Sequence, residues 1–383
     1  MDMKLAIGNE IKTSKEVLTS FVKYFPNIVQ DMKNSDHGYN KDGVNHLNSY
    51  HMESSVWTHT MMVFKEAITR YPGYPLLHIA VLLHDIGKAY VREEVITEER
   101  TKTTFYGHEG VSTYKAIDIL NSEAFEVFGL TKREKLLVIC TVAAHGDYFD
   151  SFHSEKNIEK MLSKFSGSFY HELFDMVRMH LICDHNGRIS LEDHKSDEIE
   201  DFNVRFGLGR EAFGFTKEGK PLLFVLVGPP CSGKSTYIKN NLANFTVISR
   251  DDTLMKYGDQ KYFNLEYSDL FRTLTEEDHK NIDLLVIEKF MTATKNRESI
   301  VIDMTNMSPK SRRKWSQGAS NIVGKEYYKQ AVVFFTGYEE LLVRNMVRYS
   351  QEGKNIPEKV LLNMCKNFKL PMHDEYDNIE FIM

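Results

Sequence analysis

Gly228-Pro229-Pro230-Cys231-Ser232-Gly233-Lys234-Ser235 fits the pattern G-x-x-x-x-G-K-[ST]. Leu222 to Val227, just before it, is an unbroken apolar run, as expected of a strand buried on both faces. Thr236 to Leu242, just after it, reads as a helix. Strand, glycine loop and helix in that order is the setting in which this pattern cradles phosphates. Gly228 and Gly233 let the backbone wrap closely around a phosphate, with a helix N-terminus behind it. Lys234 is expected to reach the β/γ-phosphates and the Ser235 hydroxyl to hold Mg²⁺. Ser232 and Thr236 complete the expected contacts to ATP or another nucleoside triphosphate. The competing reading is an accidental glycine turn ahead of a helix.

Working outward, 383 residues are too many for one core and imply two domains of ordinary size. Hydrophobic residues at 42% and charged residues at 27% describe a soluble globular chain. No apolar run approaches the roughly 20 residues of a membrane span. The first residues, MDMKLAIGNEIKTSKEV, lack a signal-peptide core, so a cytoplasmic protein with no membrane partner is expected. Cys140, Cys183, Cys231 and Cys365 are scattered and form no C-x-x-C pair, which argues against a zinc finger or a disulfide frame. A net charge of −6 does not announce a nucleic-acid binder, though a local patch suffices for an enzyme.

Up to about residue 200 the apolar spacing is helical: Lys15–Tyr24, Val56–Arg70, Leu76–Leu83, Gly110–Leu120, Lys132–Ala144 and Glu172–Cys183. The acidic stretch Leu191 to Asp201 and a run of glycines then place a connection within 195–220. Beyond it, candidate strands at 222–227, 246–249, 299–303, 330–336 and 378–382 alternate with helices. That alternation implies a parallel sheet flanked by helices.

Leu82-Leu83-His84-Asp85-Ile86-Gly87-Lys88 places a His-Asp pair at the end of an apolar helix. A buried carboxylate needs a partner, and a divalent metal is a good one. Imidazole with carboxylate suits Zn, Mn, Fe, Co or Ni better than Mg. His59, His108, His145 and Asp184 are further candidate ligands at spread positions. His51 reads equally as a phosphate contact or as a structural histidine. His46, His153, His171, His180 and His185 are taken as structural or solvated.

These residues resemble the HD phosphohydrolase superfamily. The order His, His-Asp, His, His, Asp matches its two-metal members over roughly residues 45–190. Segments such as Tyr106-Gly-His108-Glu109 and Asp184-His-Asn-Gly-Arg188 are similar to the HD domain behind some tRNA nucleotidyltransferases. The resemblance implies one metal on His59, His84, Asp85 and Asp184, and a second on His108 and His145 with Asp85 bridging. It makes Asp85 catalytic and places Lys88 and Arg188 to meet a phosphate.

In the C-terminal half, Phe245 to Ser249 is a strand ending at Arg250-Asp251-Asp252. A carboxylate at a strand's C-terminal end sits where α/β sheets place ligands and can accept a proton from an attacking hydroxyl. Asp251 is assigned that role and Asp252 the cap of the following helix. Ser299 to Asp303 is a second such strand end, from which Asp303, Thr305 and Asn306 could reach the acceptor or the Mg²⁺ shell. The basic run Lys310 to Trp315 reads as a solvated helix face. Arg344 and Arg348 share one helix face and could close over a triphosphate; ion pairs with surface acids are the alternative.

Residues 222–382 resemble the P-loop 5′-hydroxyl polynucleotide kinases, through GPPCSGKST, Arg250-Asp251-Asp252, Thr305-Asn306 and Arg344-Asn-x-x-Arg348. The resemblance makes Asp251 the general base, with Lys234 and the lid arginine Arg348 also catalytic. It departs at Leu254, where the phage kinases carry an arginine for the acceptor's 3′-phosphate.

The fold class expected is therefore two domains. The N-terminal one, 1–200, is an all-α HD-type metal phosphohydrolase, and 201–220 is a linker. The C-terminal one, 221–383, is an α/β P-loop kinase with a parallel sheet. The pairing resembles bifunctional nucleic-acid end-healing enzymes. It implies ATP with Mg²⁺ and one or two divalent transition metals. The substrate is a nucleic acid, RNA by the pairing, with 5′-hydroxyl and 2′,3′-phosphate ends, and a separate ligase would act afterwards. The main alternative is a small-molecule nucleoside or nucleotide kinase fused to a nucleotide phosphohydrolase.

Overall fold

A computed structural model describes residues 14–37, 51–96, 101–146, 162–189, 219–263 and 265–383. The expected connection at 201–220 lies almost wholly outside the described residues. The chain divides into two compact units, Met1–Phe213 and Gly214–Met383. No helix among the described residues is long and apolar enough to cross a membrane.

The N-terminal unit holds α1 (Ser14–Tyr24), α2 (Pro26–Asn34), α3 (Val56–Arg70), α4 (Pro75–Leu83), α5 (Lys88–Val91), α6 (His108–Leu120), α7 (Glu123–Glu126), α8 (Lys132–Ala144) and α9 (Ser168–Asn186). Sequence sets the ends of these helices. Ser55 caps α3 by accepting from the Thr58 amide, and Thr131 with Glu134 forms a capping box on α8. Pro75 starts α4 with its ring at the position where the missing amide costs least. Every residue from Leu76 to Leu83 is buried, so α4 has no solvent face. A helix apolar all round belongs in a core, and α4 packs against α3, α8 and α9. Its C-terminal end therefore delivers His84 and Asp85 to the centre of the unit. Gly87 lets that turn press onto α6: a Cβ there would collide with the His108 carbonyl and the Ser112 amide.

The unit is not purely helical. Glu93–Ile96 (β1) and Thr101–Thr104 (β2) form an antiparallel hairpin. All four β1 residues are exposed, so no apolar alternation marks it in the sequence.

The C-terminal unit runs β3 (Leu222–Val227), α10 (Lys234–Asn241), β4 (Thr246–Ser249), α11 (Arg250–Tyr262), α12 (Tyr267–Thr273), α13 (Glu276–Lys295), β5 (Ile300–Asp303), α14 (Pro309–Val323), β6 (Tyr328–Phe334), α15 (Tyr338–Glu352), α16 (Glu358–Lys366) and β7 (Asn378–Ile382). The five strands form one parallel sheet in the order β4-β5-β3-β6-β7. Phe224, Leu226, Val301, Val332 and Phe334 pack one of its faces with Leu242 of the P-loop helix end. A second cluster, Leu254, Leu270, Leu274 and Ile282, joins α11, α12 and α13.

The P-loop strand β3 is flanked by β6 and by β5, which ends at Asp303; β4, which leads to Asp251, lies one place beyond β5. Ser249 and Asp303 are register partners, so both carboxylate-bearing ends reach the same edge.

Candidate functional site

In the N-terminal unit the expected ligands converge on Asp85. Its Oδ2 lies 3.1 Å from His84 Nε2, 3.5 Å from His59 Nε2 and 2.7 Å from Lys88 Nζ. Its Oδ1 lies 3.2 Å from His108 Nε2 and 3.7 Å from His145 Nε2. Asp184 Oδ1 lies 2.9 Å from His59 Nε2 and 3.9 Å from His84 Nε2. These residues come from α3, the end of α4, the start of α6, the residue after α8 and the last turn of α9.

Three of the rings are oriented by backbone. The Nδ1 atoms of His84, His108 and His145 donate to the carbonyls of Val81, Phe105 and Val142 at 2.7, 2.9 and 2.7 Å. A carbonyl only accepts, so Nδ1 carries the proton and a neutral ring presents a bare Nε2 toward Asp85. His59 is held by a carboxylate instead: its Nδ1 lies 2.8 Å from Glu53 Oε1. Buried His59 Nε2, His84 Nε2 and both Asp85 oxygens have no well-formed hydrogen bond. Unmet buried donors and acceptors are costly, and a divalent cation at their meeting point would satisfy all of them. The donor set fits a metal in two overlapping groups, His59-His84-Asp85 and Asp85-His108-His145.

Burial opposes the Asp85 charge, yet His84, Lys88, His108 and His145 hold its carboxyl well below the usual range. Burial alone would lower His59, but the Asp184 and Glu53 carboxylates raise it to about 9, so a metal taken by this ring would displace a proton.

Sequence reasoning missed three residues here. Glu53 orients His59 and also accepts from the Ile189 amide at 3.0 Å. His180, set aside as structural or solvated, is fully buried, its ring 4.8 Å from that of His84 and 5.4 Å from that of His145. His37 stacks on His51 at 4.7 Å, with its Nε2 3.5 Å from Lys88 Nζ. All three are near the centre only through tertiary packing, which no local pattern records. His51 lies 2.7 Å from Glu53 Oε1. Arg188 bonds His185 Nδ1 at 3.0 Å beyond the end of α9.

In the C-terminal unit the loop before α10 has the geometry its glycines predict. Gly233 adopts φ 99, and Cys231, without a glycine's freedom, adopts φ 64. Lys234 Nζ donates to the carbonyls of Gly228 and Pro229 at 2.9 and 2.6 Å. Ser232 is buried, while Ser235 and Thr236 are exposed at the helix N-terminus. Burial pushes the Lys234 ammonium down to about 8, against the pull of Asp303 and Asp251. Asp303 is pushed up by burial first, with Lys234 opposing and Asp252 and Asp251 adding to the rise. On the other side of the loop, Arg344 Nη1 bonds the Cys231 carbonyl at 3.3 Å, and Arg348 lies near enough for the Cys231 side chain to favour its charge. Both arginines also make the expected surface ion pairs, with Glu340 and Glu352.

Residues 223–371 match the family model for an AAA domain, AAA_33. The parallel sheet and glycine loop of the C-terminal unit fit a P-loop kinase fold. Over 157 residues the chain is 30% identical to a protein of Autographa californica nuclear polyhedrosis virus named as a bifunctional polynucleotide kinase/RNA ligase. The match takes in 40% of this chain and 22% of that relative, so the chain spans about a fifth of the relative's length. Among solved structures, a chain of the Pnkp1/Rnl/Hen1 RNA repair complex is 26% identical, covering 40% of this chain and 46% of its own, with TM-score 0.31. A kinase-described protein of Chloroflexus aurantiacus is 13% identical, covering 43% and 85%, with TM-score 0.33.

Within the C-terminal unit some expected roles change. Asn306 does not face an acceptor: its Nδ2 donates to the Leu226 carbonyl at 2.8 Å and its Oδ1 accepts from Trp315 Nε1 at 3.2 Å. It is 2% exposed with φ 48, so both ends of its amide are spent holding the P-loop strand to α14. Thr305 also ties this loop to the P-loop, its carbonyl accepting from the Gly228 amide at 3.0 Å, which leaves its side chain uncommitted by that bond. Asp252 is not the helix cap. Ser249 is, accepting from the Asp252 amide at 3.2 Å, because the helix begins at Arg250. The basic run is solvated only at Lys310, Arg313 and Lys314. Arg312 is 0% exposed and chelates Glu375 at 3.0 and 2.8 Å. Leu254 is core, under Leu270, Leu274 and Ile282.

Proposed function

We propose that the chain heals nucleic-acid ends with two separate sites. The kinase domain transfers the γ-phosphoryl of ATP to a 5′-hydroxyl, and the N-terminal unit, an HD-type phosphohydrolase, removes a 2′,3′-cyclic, 2′- or 3′-phosphate. RNA is the substrate class that carries both ends. The products, a 5′-phosphate and a 3′-hydroxyl, are those that a separate ligase consumes.

The observation that carries this reading is the coexistence of two sets in one chain. One is Lys234, Asp303 and Asp251 along one edge of a parallel sheet. The other is the imidazoles whose Nε2 atoms surround Asp85. In the kinase domain Lys234 leaves its two loop carbonyls for the β/γ-phosphates, and Ser235 holds the Mg²⁺ that accompanies ATP. Asp251 accepts the proton of the 5′-hydroxyl, and Arg348 offsets charge on the transferring group. In the N-terminal unit a bound divalent metal would activate water and screen phosphoryl oxygens. His59, His84, Asp85 and Asp184 would hold one such metal, and Asp85, His108 and His145 a second. Lys88 stands beside Asp85 to meet the substrate phosphate.

The test is an RNA with a 5′-hydroxyl and a 2′,3′-cyclic phosphate, incubated with the protein, ATP and Mg²⁺ or Mn²⁺ and read at both ends by mass. A parallel arm offers nucleosides and nucleoside 2′,3′-cyclic phosphates. Change at both RNA ends supports the reading. Change confined to the small molecules replaces it with a small-molecule kinase and nucleotide phosphohydrolase.

A further inference from the structure

Tyr267 opens α12, and its hydroxyl donates to Asp251 Oδ1 at 3.0 Å. Among the described residues no other side chain donates to that carboxylate. Lys234 and Asp303 contribute only through their charge. Asp251 stands exposed in the first turn of α11. An exposed carboxylate samples several rotamers, and a general base must hold one oxygen toward the proton it takes.

The tyrosine itself is well anchored. Burial and the adjoining Asp251 charge push its phenol up, with Arg348 and Arg250 opposing, so it stays a donor at neutral pH. Its ring packs on the Leu254-Leu270-Leu274-Ile282 cluster. Lys354 Nζ lies 4.4 Å from the ring centroid. The next residue, Ser268, donates to the Gly353 carbonyl at 2.6 Å. Gly353 caps α15, the helix that carries Arg344 and Arg348 to the P-loop. One short segment is thus fixed to the helix on the nucleotide side while its tyrosine fixes the carboxylate on the acceptor side.

We propose that Tyr267 is a positioning residue for phosphoryl transfer: it pins Asp251 through Oδ1, so that Oδ2 faces the acceptor hydroxyl. The inference rests on the kinase reading of this domain. In the step it serves, the acceptor oxygen forms a bond to the γ-phosphorus. The bond from that phosphorus to the bridging oxygen breaks, the nucleoside diphosphate leaves with the electron pair, and the hydroxyl proton passes to Asp251 Oδ2.

The experiment is a double-mutant cycle on the full chain with Tyr267→Phe, Asp251→Asn and the pair. Initial rates are taken with ATP·Mg²⁺ and either a 5′-hydroxyl oligoribonucleotide or a nucleoside. Tyr267→Phe is expected to lower kcat roughly tenfold, the size of one hydrogen bond to a charged group, with both KM values unchanged. In the Asp251→Asn background the same change should have no further effect. An unchanged kcat overturns the proposal. So does an equal loss in both backgrounds, which would make the hydroxyl merely structural, and so does a loss confined to KM. Wild-type transfer to the nucleoside alone would sink the nucleic-acid reading and leave the cycle to decide Tyr267 on that acceptor. Transfer to neither would overturn both.

Discussion

His108 Nε2 lies 3.1 Å from His145 Nε2, while each ring's Nδ1 is committed to a backbone carbonyl. Two neutral rings so arranged turn lone pair toward lone pair. A hydrogen bond between them needs an extra proton; a cation between them and Asp85 Oδ1 needs none. The same logic makes Glu53 a determinant of affinity, because it holds His59 from behind at 2.8 Å. Removing such a partner typically weakens metal binding about 10- to 100-fold. Calorimetric titration of chelator-stripped protein with Mn²⁺ should show a loss of that order in Glu53→Gln. Unchanged affinity would mean that His59 is not a ligand.

Lys234 gives the P-loop unit a pH signature. Burial depresses its ammonium to about 8 in the free protein, whereas a bound triphosphate favours the charged form. ATP binding above about pH 8 therefore takes up a proton, and affinity should fall as pH rises beyond it. The sign for stability is opposite. Between about 8 and the unfolded lysine value near 10.4 the unfolded chain binds more protons, so this group's contribution to stability rises with pH. Titrating ATP·Mg²⁺ from pH 7 to 9 in wild type and Lys234→Arg reads the effect. The arginine variant should lose the decline, and an equal decline in both would assign it to another group.

Arg312 and Glu375 are predicted to be a stability pair. Arg312 also donates to the carbonyls of Met307 and Lys369 at 3.1 and 2.8 Å, so its charge is fully partnered inside the core. Removing one member of such a pair costs about 3–5 kcal/mol. Urea unfolding followed by Trp315 fluorescence in a Trp57→Phe background should show a loss of that size for Glu375→Gln. A change below about 1 kcal/mol would show that solvent reaches the guanidinium.

The two strand-end carboxylates should separate kinetically. Asp251→Asn is expected to lower turnover about 10²- to 10⁴-fold with ATP affinity nearly intact. Asp303→Asn, beside Lys234, should weaken binding of ATP·Mg²⁺ as well. Asp252→Asn should do little to either, because Ser249 caps the helix. Full turnover in Asp251→Asn would move the base to Asp303.

The elements were legible where pattern is local. Val56–Arg70 and Leu222–Val227 are observed as read, since apolar spacing and run length encode them directly. The β1–β2 hairpin was not, because its exposed residues bury no face. That His59, His84, Asp85, His108, His145 and Asp184 would gather at one place was readable around His84-Asp85, but Glu53, His37 and His180 reach the centre through packing of separate segments. Asn306 misled because a polar residue past a strand end looks the same in sequence whether it faces substrate or, as here, is buried and spent on a backbone carbonyl and Trp315. Arg312 misled because its partner Glu375 lies far along the chain, so nothing local marks it off from the exposed bases beside it. Strand order was hidden too, so the place of β5 between β4 and β3 emerged only in the folded sheet.

Two independent chemistries in one chain are tested by the mass of an RNA bearing a 5′-hydroxyl and a 2′,3′-cyclic phosphate after incubation with wild type, Lys234→Ala or Asp85→Ala, each with ATP and divalent metal. Change is expected at both ends with wild type, at the 3′ end alone with Lys234→Ala, and at the 5′ end alone with Asp85→Ala. Loss of both changes in either folded variant, or no change at the 3′ end with wild type, would contradict that expectation.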